Sequence, residues 1–104
     1  MYKGIKHDQE KLRYELLPVA PLQEIVAVLT DGARKYSDNN WQYVEPFEDR
    51  YYAAALRHIT EWRKGEAMDS ESGRHHLAHA ACCLIFLMEG AFDKQGEIYF
   101  RERG

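Results

Sequence analysis

The sequence predicts an all-α protein, a small bundle of three to four main helices, from two observations. Apolar residues recur at the three- and four-residue spacing of a helix in residues 22–33 and 52–62. Glycines and prolines fall where such segments begin or end, and no stretch of any length alternates like a strand. The 104 residues and the apolar fraction of 45% are typical of one domain. We expect a single domain over residues 1–104, with residues 1–18 as a charged lead-in and residues 90–104 as a tail or short helix.

The first predicted helix begins near Pro21, because proline lacks the N–H that the first turn of a helix leaves unpaired. Arg34 and Lys35 complement the negative end of this helix. Residues 37–47 follow as a loop, since they show no helical period and are rich in turn-forming residues. This loop carries a large aromatic side chain, Trp41.

Two further helices are predicted, with expected bounds near Glu48 to Lys64 and near Arg74 to about Glu89 or beyond. Gly65 suits the position just past the end of the second helix. Residues 66–73 form an acidic loop between the two helices, and Ser72 is a plausible N-cap for the third.

The apolar side chains of these helices predict how they are buried. One stripe of the second helix is expected to face the core, namely Tyr52, Ala55, Leu56, Ile59 and Trp62. The third helix is apolar nearly all round between Leu77 and Met88, so it must be covered on several sides. Because two partner helices of one chain cover only part of such a helix, we expect a homodimer or homotetramer.

Charge and cysteine content exclude several classes of protein. The net charge is -3 without a basic patch, which argues against binding to duplex nucleic acid. The longest apolar run is shorter than the about 20 residues of a membrane-spanning helix, and the polar N-terminus does not resemble a signal peptide. Cys82 and Cys83 are neighbours in an apolar run and are expected to be reduced core residues of a cytoplasmic protein.

Residues 57–79 hold four of the five histidines, together with several acids, and are the predicted site of chemistry. Pairs of these residues are spaced three or four apart, so each pair shares a helix face or a turn: His58 and Glu61, Glu66 and Asp69, His76 and His79, His75 and His79. If the helices are antiparallel, these groups converge at one end of the bundle and form a metal site. The alternative for each pair is hydrogen bonding near helix ends and solvated acids. The acids favour Mg²⁺ or Mn²⁺, and the histidines keep a softer metal possible.

Several other side chains suit a nucleotide. Lys35 offers a positive charge to phosphate, Trp41 or Tyr36 offers a ring face to a base, and Asn40 offers a donor and an acceptor. Further candidate phosphate ligands are Lys11, Arg13 and Arg57. The alternative is a helix-end cation, a core aromatic and turn asparagines, with the lead-in as a solvated arm.

The ordered motifs resemble a phage family of dATP/dGTP diphosphohydrolases, which is related to the MazG-like all-α nucleoside triphosphate pyrophosphohydrolases. The resemblance rests on motifs between about Lys6 and about Met88: Lys6-His7-Asp8-x-x-Lys11-x-Arg13, Gly32-Ala33-x-Lys35-Tyr36, Asn40-Trp41, Arg57-His58, Gly65-Glu66-x-x-Asp69 and His76-Leu77-Ala78-His79. The resemblance implies an oligomeric helical bundle with Mg²⁺ or Mn²⁺ that cleaves a purine deoxynucleoside triphosphate into monophosphate and pyrophosphate. It also implies that the protein is located in the cytoplasm of a phage-infected bacterium. The MazG-like pattern has Glu-Glu-x-x-Glu on one helix and Glu-x-x-Asp on the next, whereas this chain has His58-x-x-Glu61 and His76-x-x-His79 at the equivalent spacings.

Together, these observations give a hypothesis of metal-assisted hydrolysis. The candidate catalytic residues are His58, Glu61, Glu66 and Asp69; the candidate metal ligands are Glu61, Glu66, Asp69, His76 and His79. One rival is a histidine-aspartate phosphohydrolase that releases triphosphate, for which the adjacent pair would be His7-Asp8. A second rival is a non-catalytic helical dimer that acts as a binding or regulatory module.

Overall fold

The computed structural model describes residues 11–92, and three long helices make up most of this range. Their bounds are α1 at Val19–Lys35, α2 at Phe47–Arg63 and α3 at His76–Phe92, with short 3-10 turns at Tyr14–Leu16 and Asn40–Tyr43. Within residues 11–92 the β structure is limited to one isolated bridge between Met68 and His75. The predicted all-α class is therefore confirmed. Residues 1–10 and the predicted tail beyond Phe92 lie outside the described residues.

Prolines and glycines set the helix ends much as the sequence predicts. Pro18 is the N-cap of α1 and Pro21 lies in its first turn, so the helix starts two residues before the expected position. Pro46 precedes α2. Gly65 follows the end of α2 with a φ of 114°, a conformation that side-chain-bearing residues rarely adopt.

The third helix begins at His76, two residues later than predicted. The preceding segment folds back on itself instead, because Asp69 N–H donates to Arg74 O and His76 N–H donates to Ala67 O, each at 2.8 Å. His75, rather than the expected Ser72, caps the helix, since its Nδ1 accepts the Leu77 N–H at 3.0 Å.

Helix α3 packs against both other helices and runs antiparallel to each. His58 and Tyr51 of α2 contact His76 and Phe86 of α3, so the two helices run in opposite directions. On the other side, Arg74, just before α3, binds Asp31 of α1, and Cys82 contacts Ile25 O. Since α1 and α2 are both antiparallel to α3, they are parallel to each other. Residues 36–46 therefore form a crossover that runs along α3 from its start towards its end.

The buried core consists of small side chains. The buried apolar residues of the described range are Ala55, Ala78, Ala80, Cys82 and Cys83. Small residues let helices approach closely, so α2 and α3 pack together along much of their length. Both thiols are free and buried, as the sequence predicts.

The predicted buried stripe of α2 is wrong for four of its five residues. Ala55 is buried at 3% exposure, but the others lie 36–60% exposed: Tyr52, Leu56, Ile59 and Trp62. The face of α2 that meets α3 is instead formed by Tyr51, Ala55 and His58. Periodicity finds both stripes, because they lie side by side on the helix, and only packing distinguishes them.

Among residues 11–92, none of the helices combines the length and apolar character that a membrane span requires.

Candidate active site

An open cleft of about 2010 Å³ lies between the crossover, α2 and the loop that joins α2 to α3. His76 and His79 line one end of it, and Phe86 and Trp41 line the other. His79 and Phe86 are seven residues apart on α3, which places them about 10 Å apart along the helix at 1.5 Å per residue. The cleft therefore combines a polar end rich in titratable groups with an aromatic end.

The loop after α2 presents Asp69 to the cleft in a fixed orientation. One carboxylate oxygen accepts the Glu71 N–H at 3.1 Å and the other accepts the Ser72 hydroxyl at 3.2 Å. Burial opposes ionisation of Asp69, but these two hydrogen bonds, together with the nearby His79 and His58, outweigh it and lower the pKa of the carboxyl below its ordinary value. Asp69 is therefore an anion at neutral pH.

A two-point contact anchors the same loop to α1. The Arg74 guanidinium donates to both carboxylate oxygens of Asp31, at 2.7 and 3.1 Å. This hydrogen-bonded pair lowers the pKa of Asp31. Because Arg74 lies two residues before α3, the contact connects the position of the loop to the packing of α1 on α3.

His58, Asp69 and His79 converge at the polar end of the cleft. Each offers one ligand atom, and these atoms all lie within 4.8 Å of one another. The rings of His58 and His79 stack with centroids 4.6 Å apart, and His79 Nε2 lies 3.6 Å from an Asp69 oxygen. The three groups come from α2, the loop and α3, so the fold of the whole polar end brings them together.

The protonation states of this triad suit a divalent cation. Burial is the main cause that lowers the pKa of His58 to about 4, and the nearby His79, Arg57 and His76 add to it. Burial also lowers the pKa of His79, although Asp69 opposes that shift. Two neutral imidazoles and one carboxylate are the forms in which these side chains bind metal. The donor set therefore fits a divalent ion.

His76 and Glu66 lie behind the triad. His76 is buried at 3% exposure, and its Nδ1 is 2.9 Å from Nδ1 of His58. Its other nitrogen, Nε2, is 2.6 Å from a carboxylate oxygen of half-exposed Glu66. Four of the predicted metal ligands thus separate into two groups: Asp69 and His79 belong to the triad, whereas His76 contacts His58 and Glu66 contacts His76.

The remaining titratable residues of the predicted cluster occupy different positions. Glu61 lines the cleft and its carboxylate is 3.4 Å from Lys64 Nζ. His75 caps α3 through its ring nitrogen. The roles assigned to these residues from sequence stay predictions, and the structure adds that Glu61 is accessible from the cleft.

The predicted nucleotide-binding residues of the crossover and α2 line the same cleft: Lys35, Tyr36, Asn40, Trp41 and Arg57. Trp41 stacks on Phe86 with centroids 4.6 Å apart and planes 7° apart, so one face of its indole is already covered. Exposed Tyr36 has the Lys35 ammonium 5.3 Å from its ring centroid. Lys11 and Arg13 are not among the lining residues; Arg13 pairs with Glu15 at 2.9 Å.

Comparison with known proteins identifies the family. Residues 2–98 match the family described as "dATP/dGTP diphosphohydrolase, N-terminal". The chain belongs to this family. A relative named dATP/dGTP diphosphohydrolase, from Salmonella phage PMBT28, is 39% identical over 84 residues, which cover 81% of this chain and 28% of the relative. The chain therefore spans little more than a quarter of the length of that curated relative. No solved structure matches the chain.

Membership of the dATP/dGTP diphosphohydrolase family confirms the resemblance inferred from the sequence motifs. In this family member, sequence reasoning overlooked three features of the cleft. Arg50 lines it one heptad before Arg57, on the same face of α2, and this spacing was a usable signal. Ser72 contacts both Asp69 and His79 Nε2, the latter at 2.7 Å. The contact between Arg74 and Asp31 joins residues 43 positions apart in the chain, and no local sequence pattern predicts such a contact.

Proposed function

We propose that this protein is a metal-dependent hydrolase that cleaves a purine deoxynucleoside triphosphate, dGTP or dATP, into the monophosphate and pyrophosphate. The observation that carries the proposal is the convergence of His58, Asp69 and His79 at one end of a cleft with an aromatic far end. Family membership supports the choice of dGTP and dATP, since the family description names these nucleotides.

His58, Asp69 and His79 would hold the metal ion. Of the two ions expected from sequence, two imidazoles with one carboxylate suit Mn²⁺ better than Mg²⁺, which prefers oxygen ligands. A bound divalent ion supplies positive charge against the phosphates and lowers the pKa of a bound water.

The chain's own groups supply the remaining functions of a hydrolase. The Glu61 carboxylate is three residues from His58 on the same face of α2, lines the cleft, and is the group we assign to accept the proton of the attacking water. Arg57 and the overlooked Arg50 extend along the same wall of the cleft. Each guanidinium can donate two parallel hydrogen bonds to two oxygens of one phosphate group.

The crossover residues Tyr36, Asn40 and Trp41 are assigned to the base and sugar. Tyr36 is 63% exposed, whereas Phe86 covers one face of Trp41. Asn40 lies at the start of the 3-10 turn that carries Trp41 and lines the cleft. Its amide offers both a donor and an acceptor to a purine edge.

We further propose that a second copy of the chain covers the exposed apolar stripes of α2 and α3. Leu56 of α2 and Leu84 and Met88 of α3 are 46–54% exposed in the single chain. Large apolar side chains that remain exposed along a helix are typical of surfaces that associate. This proposal continues the expectation of a homo-oligomer that the apolar third helix gives.

A product assay tests the proposed reaction. Purified protein is incubated with each deoxynucleoside triphosphate and Mg²⁺ or Mn²⁺, and the products are separated by chromatography. We expect monophosphate and pyrophosphate from dGTP or dATP, and no product with a chelator. Triphosphate as product would favour the histidine-aspartate rival, whose adjacent pair His7-Asp8 lies outside the described residues. No turnover with either metal would favour the non-catalytic module.

Two substitutions, each of a carboxylate by the amide of the same shape, test the assignment of the site. Asp69→Asn keeps the shape of the side chain but removes the anionic ligand, and we expect it to abolish turnover while the far-ultraviolet circular dichroism spectrum is unchanged. Glu24→Gln removes one negative charge from the exposed surface of α1, outside the cleft, and should retain activity. Full activity of Asp69→Asn would refute the assignment of the site.

A further inference from the structure

A continuous chain of hydrogen bonds leads from the Glu66 carboxylate to the metal triad. Glu66 Oε1 is 2.6 Å from His76 Nε2, and His76 Nδ1 is 2.9 Å from His58 Nδ1. Each histidine ring has two nitrogens, and a neutral ring carries a proton on one of them. The position of each proton in this chain therefore depends on the neighbouring group.

The order of donors and acceptors follows from the two ends of the chain. A carboxylate accepts hydrogen bonds, so His76 Nε2 must carry the proton that it donates to Glu66. At the other end, Nδ1 of His58 is occupied by its contact with His76 Nδ1, so only Nε2 of His58 is left for a metal ion. A histidine that binds metal through Nε2 carries its proton on Nδ1. In the contact at 2.9 Å, His58 therefore donates from its Nδ1–H and His76 Nδ1 accepts.

We propose that Glu66 and His76 are positioning residues that hold His58 as the Nδ1–H tautomer and leave its Nε2 lone pair for a divalent transition-metal ion. This inference rests on the proposed metal site. It assigns different roles to the predicted ligands, because Glu66 and His76 act through His58 and do not themselves bind the metal. Partners of this kind, which fix the ring and tautomer of a metal-binding histidine, are common behind protein metal sites.

The backbone holds both positioning residues in place. The His76 N–H donates to Ala67 O at 2.8 Å, and the Glu66 N–H donates to Glu61 O at 3.0 Å. Glu66 thus continues directly from the end of α2, while His76 begins α3. These two backbone hydrogen bonds fix the positions from which the Glu66 and His76 side chains project. The orientation of the His58 ring is therefore set by the junction of α2 and α3.

The first test measures the tautomer of His58 in metal-free protein. Long-range ¹H–¹⁵N correlation spectra of protein with ¹⁵N-labelled histidine rings report which ring nitrogen is protonated. We expect His58 to be protonated at Nδ1 and His76 at Nε2. Protonation of His58 at Nε2, or of His76 at both nitrogens, would overturn the proposal. In the Glu66→Leu variant we expect the His58 signal to change to a mixture of both tautomers.

The second test titrates Co²⁺ and follows its visible absorption. Removal of a positioning partner lowers metal affinity by about 10- to 100-fold, and we expect a loss of this size for Glu66→Leu. Glu66→Gln keeps an oxygen that can accept from His76, so it should restore most of the affinity. A control is Glu24→Leu, which removes an exposed acid from α1, outside the cleft, and should leave Co²⁺ affinity unchanged.

These variants separate a positioning role from direct ligation. If Glu66 were itself a ligand, its replacement by the neutral amide would weaken Co²⁺ binding about as much as Glu66→Leu, and the proposal would be wrong. A failure of the proposed hydrolase function can be distinguished from a failure of the positioning role, because Co²⁺ binding and the His58 tautomer are measured without substrate. A protein with the expected tautomer and Co²⁺ site that turns over no nucleotide would refute the hydrolase and leave the positioning role intact.

Discussion

Gly90 of α3 lies against the ring of Phe47 at the start of α2. A Cβ built on Gly90 would lie 2.6 Å from Cε2 and 3.2 Å from Cζ of Phe47. The Phe47 ring has little freedom to withdraw, because it packs against Tyr51 at 5.1 Å and Trp41 at 6.1 Å between ring centroids. Alanine at position 90 therefore displaces a ring that packs within an aromatic cluster.

The magnitude of this effect follows from two opposing terms. Alanine in place of a helical glycine stabilises by about 0.5–1 kcal/mol, while an extra methyl group in a packed site costs about 1–3 kcal/mol. For Gly90→Ala the second term is larger, and we expect a net loss of about 1 kcal/mol. Gly32 is the matched control, since it also lies in a helix but a Cβ there meets nothing within 4 Å. We expect Gly32→Ala to be more stable than the parent by about 0.5–1 kcal/mol.

Thermal unfolding followed by circular dichroism measures both variants. A change of about 1 kcal/mol shifts the midpoint by about 4–8 °C in a domain of this size, so the two variants should move in opposite directions. In a Phe47→Leu background, which lacks the clashing ring atom, Gly90→Ala should lose most of its penalty. The reasoning is refuted if Gly90→Ala is as stable as Gly32→Ala, or if its penalty is unchanged in the Phe47→Leu background.

Three further predictions concern the loop anchor, the thiols and assembly. Arg74→Met breaks the anchor to α1, so amide exchange should accelerate in the loop before α3 but not in the middle of α2; equal exchange of the loop in parent and variant would contradict this. Burial raises the pKa of Cys82 to about 12 and of Cys83 to about 11, so at about pH 8 iodoacetamide should alkylate the native thiols at least about 100-fold more slowly than an exposed thiol of pKa about 8.5. Leu84→Glu with Met88→Glu should reduce the mass measured by light scattering to that of one chain, and a parent of one-chain mass would refute assembly.

The helices could be predicted from sequence because their signals are local. Pro21 lies in the first turn of α1 and Gly65 follows the end of α2, so each marks a helix end through its own backbone conformation. The late start of α3 was not predictable in this way. It depends on hydrogen bonds across the loop, such as that between Asp69 N–H and Arg74 O, which compete with a helical turn.

The candidate site was only partly predictable for a related reason. Spacing along a helix shows that His76 and His79 share a face, but it does not show which partner each meets across the bundle. In the structure His79 faces Asp69, and His76 faces Glu66 on the other side of His58. The assignment of ligands therefore depends on the rotation of α3 against α2, which no residue pattern in either helix records.

The parallel arrangement of α1 and α2 sets a minimum length for the crossover between them. The 17 residues of α3 extend about 25 Å at 1.5 Å per residue. The 11 residues from 36 to 46, with four of them in the compact 3-10 turn Asn40–Tyr43, reach about 32 Å, at about 3.4 Å per extended residue and 2 Å per 3-10 residue. The slack amounts to about two residues. Deletions of more than about two residues would have to unwind the turn that presents Trp41. Insertions add little to the entropic cost of closing the loop. Related chains should therefore differ here by added residues and seldom by deleted ones.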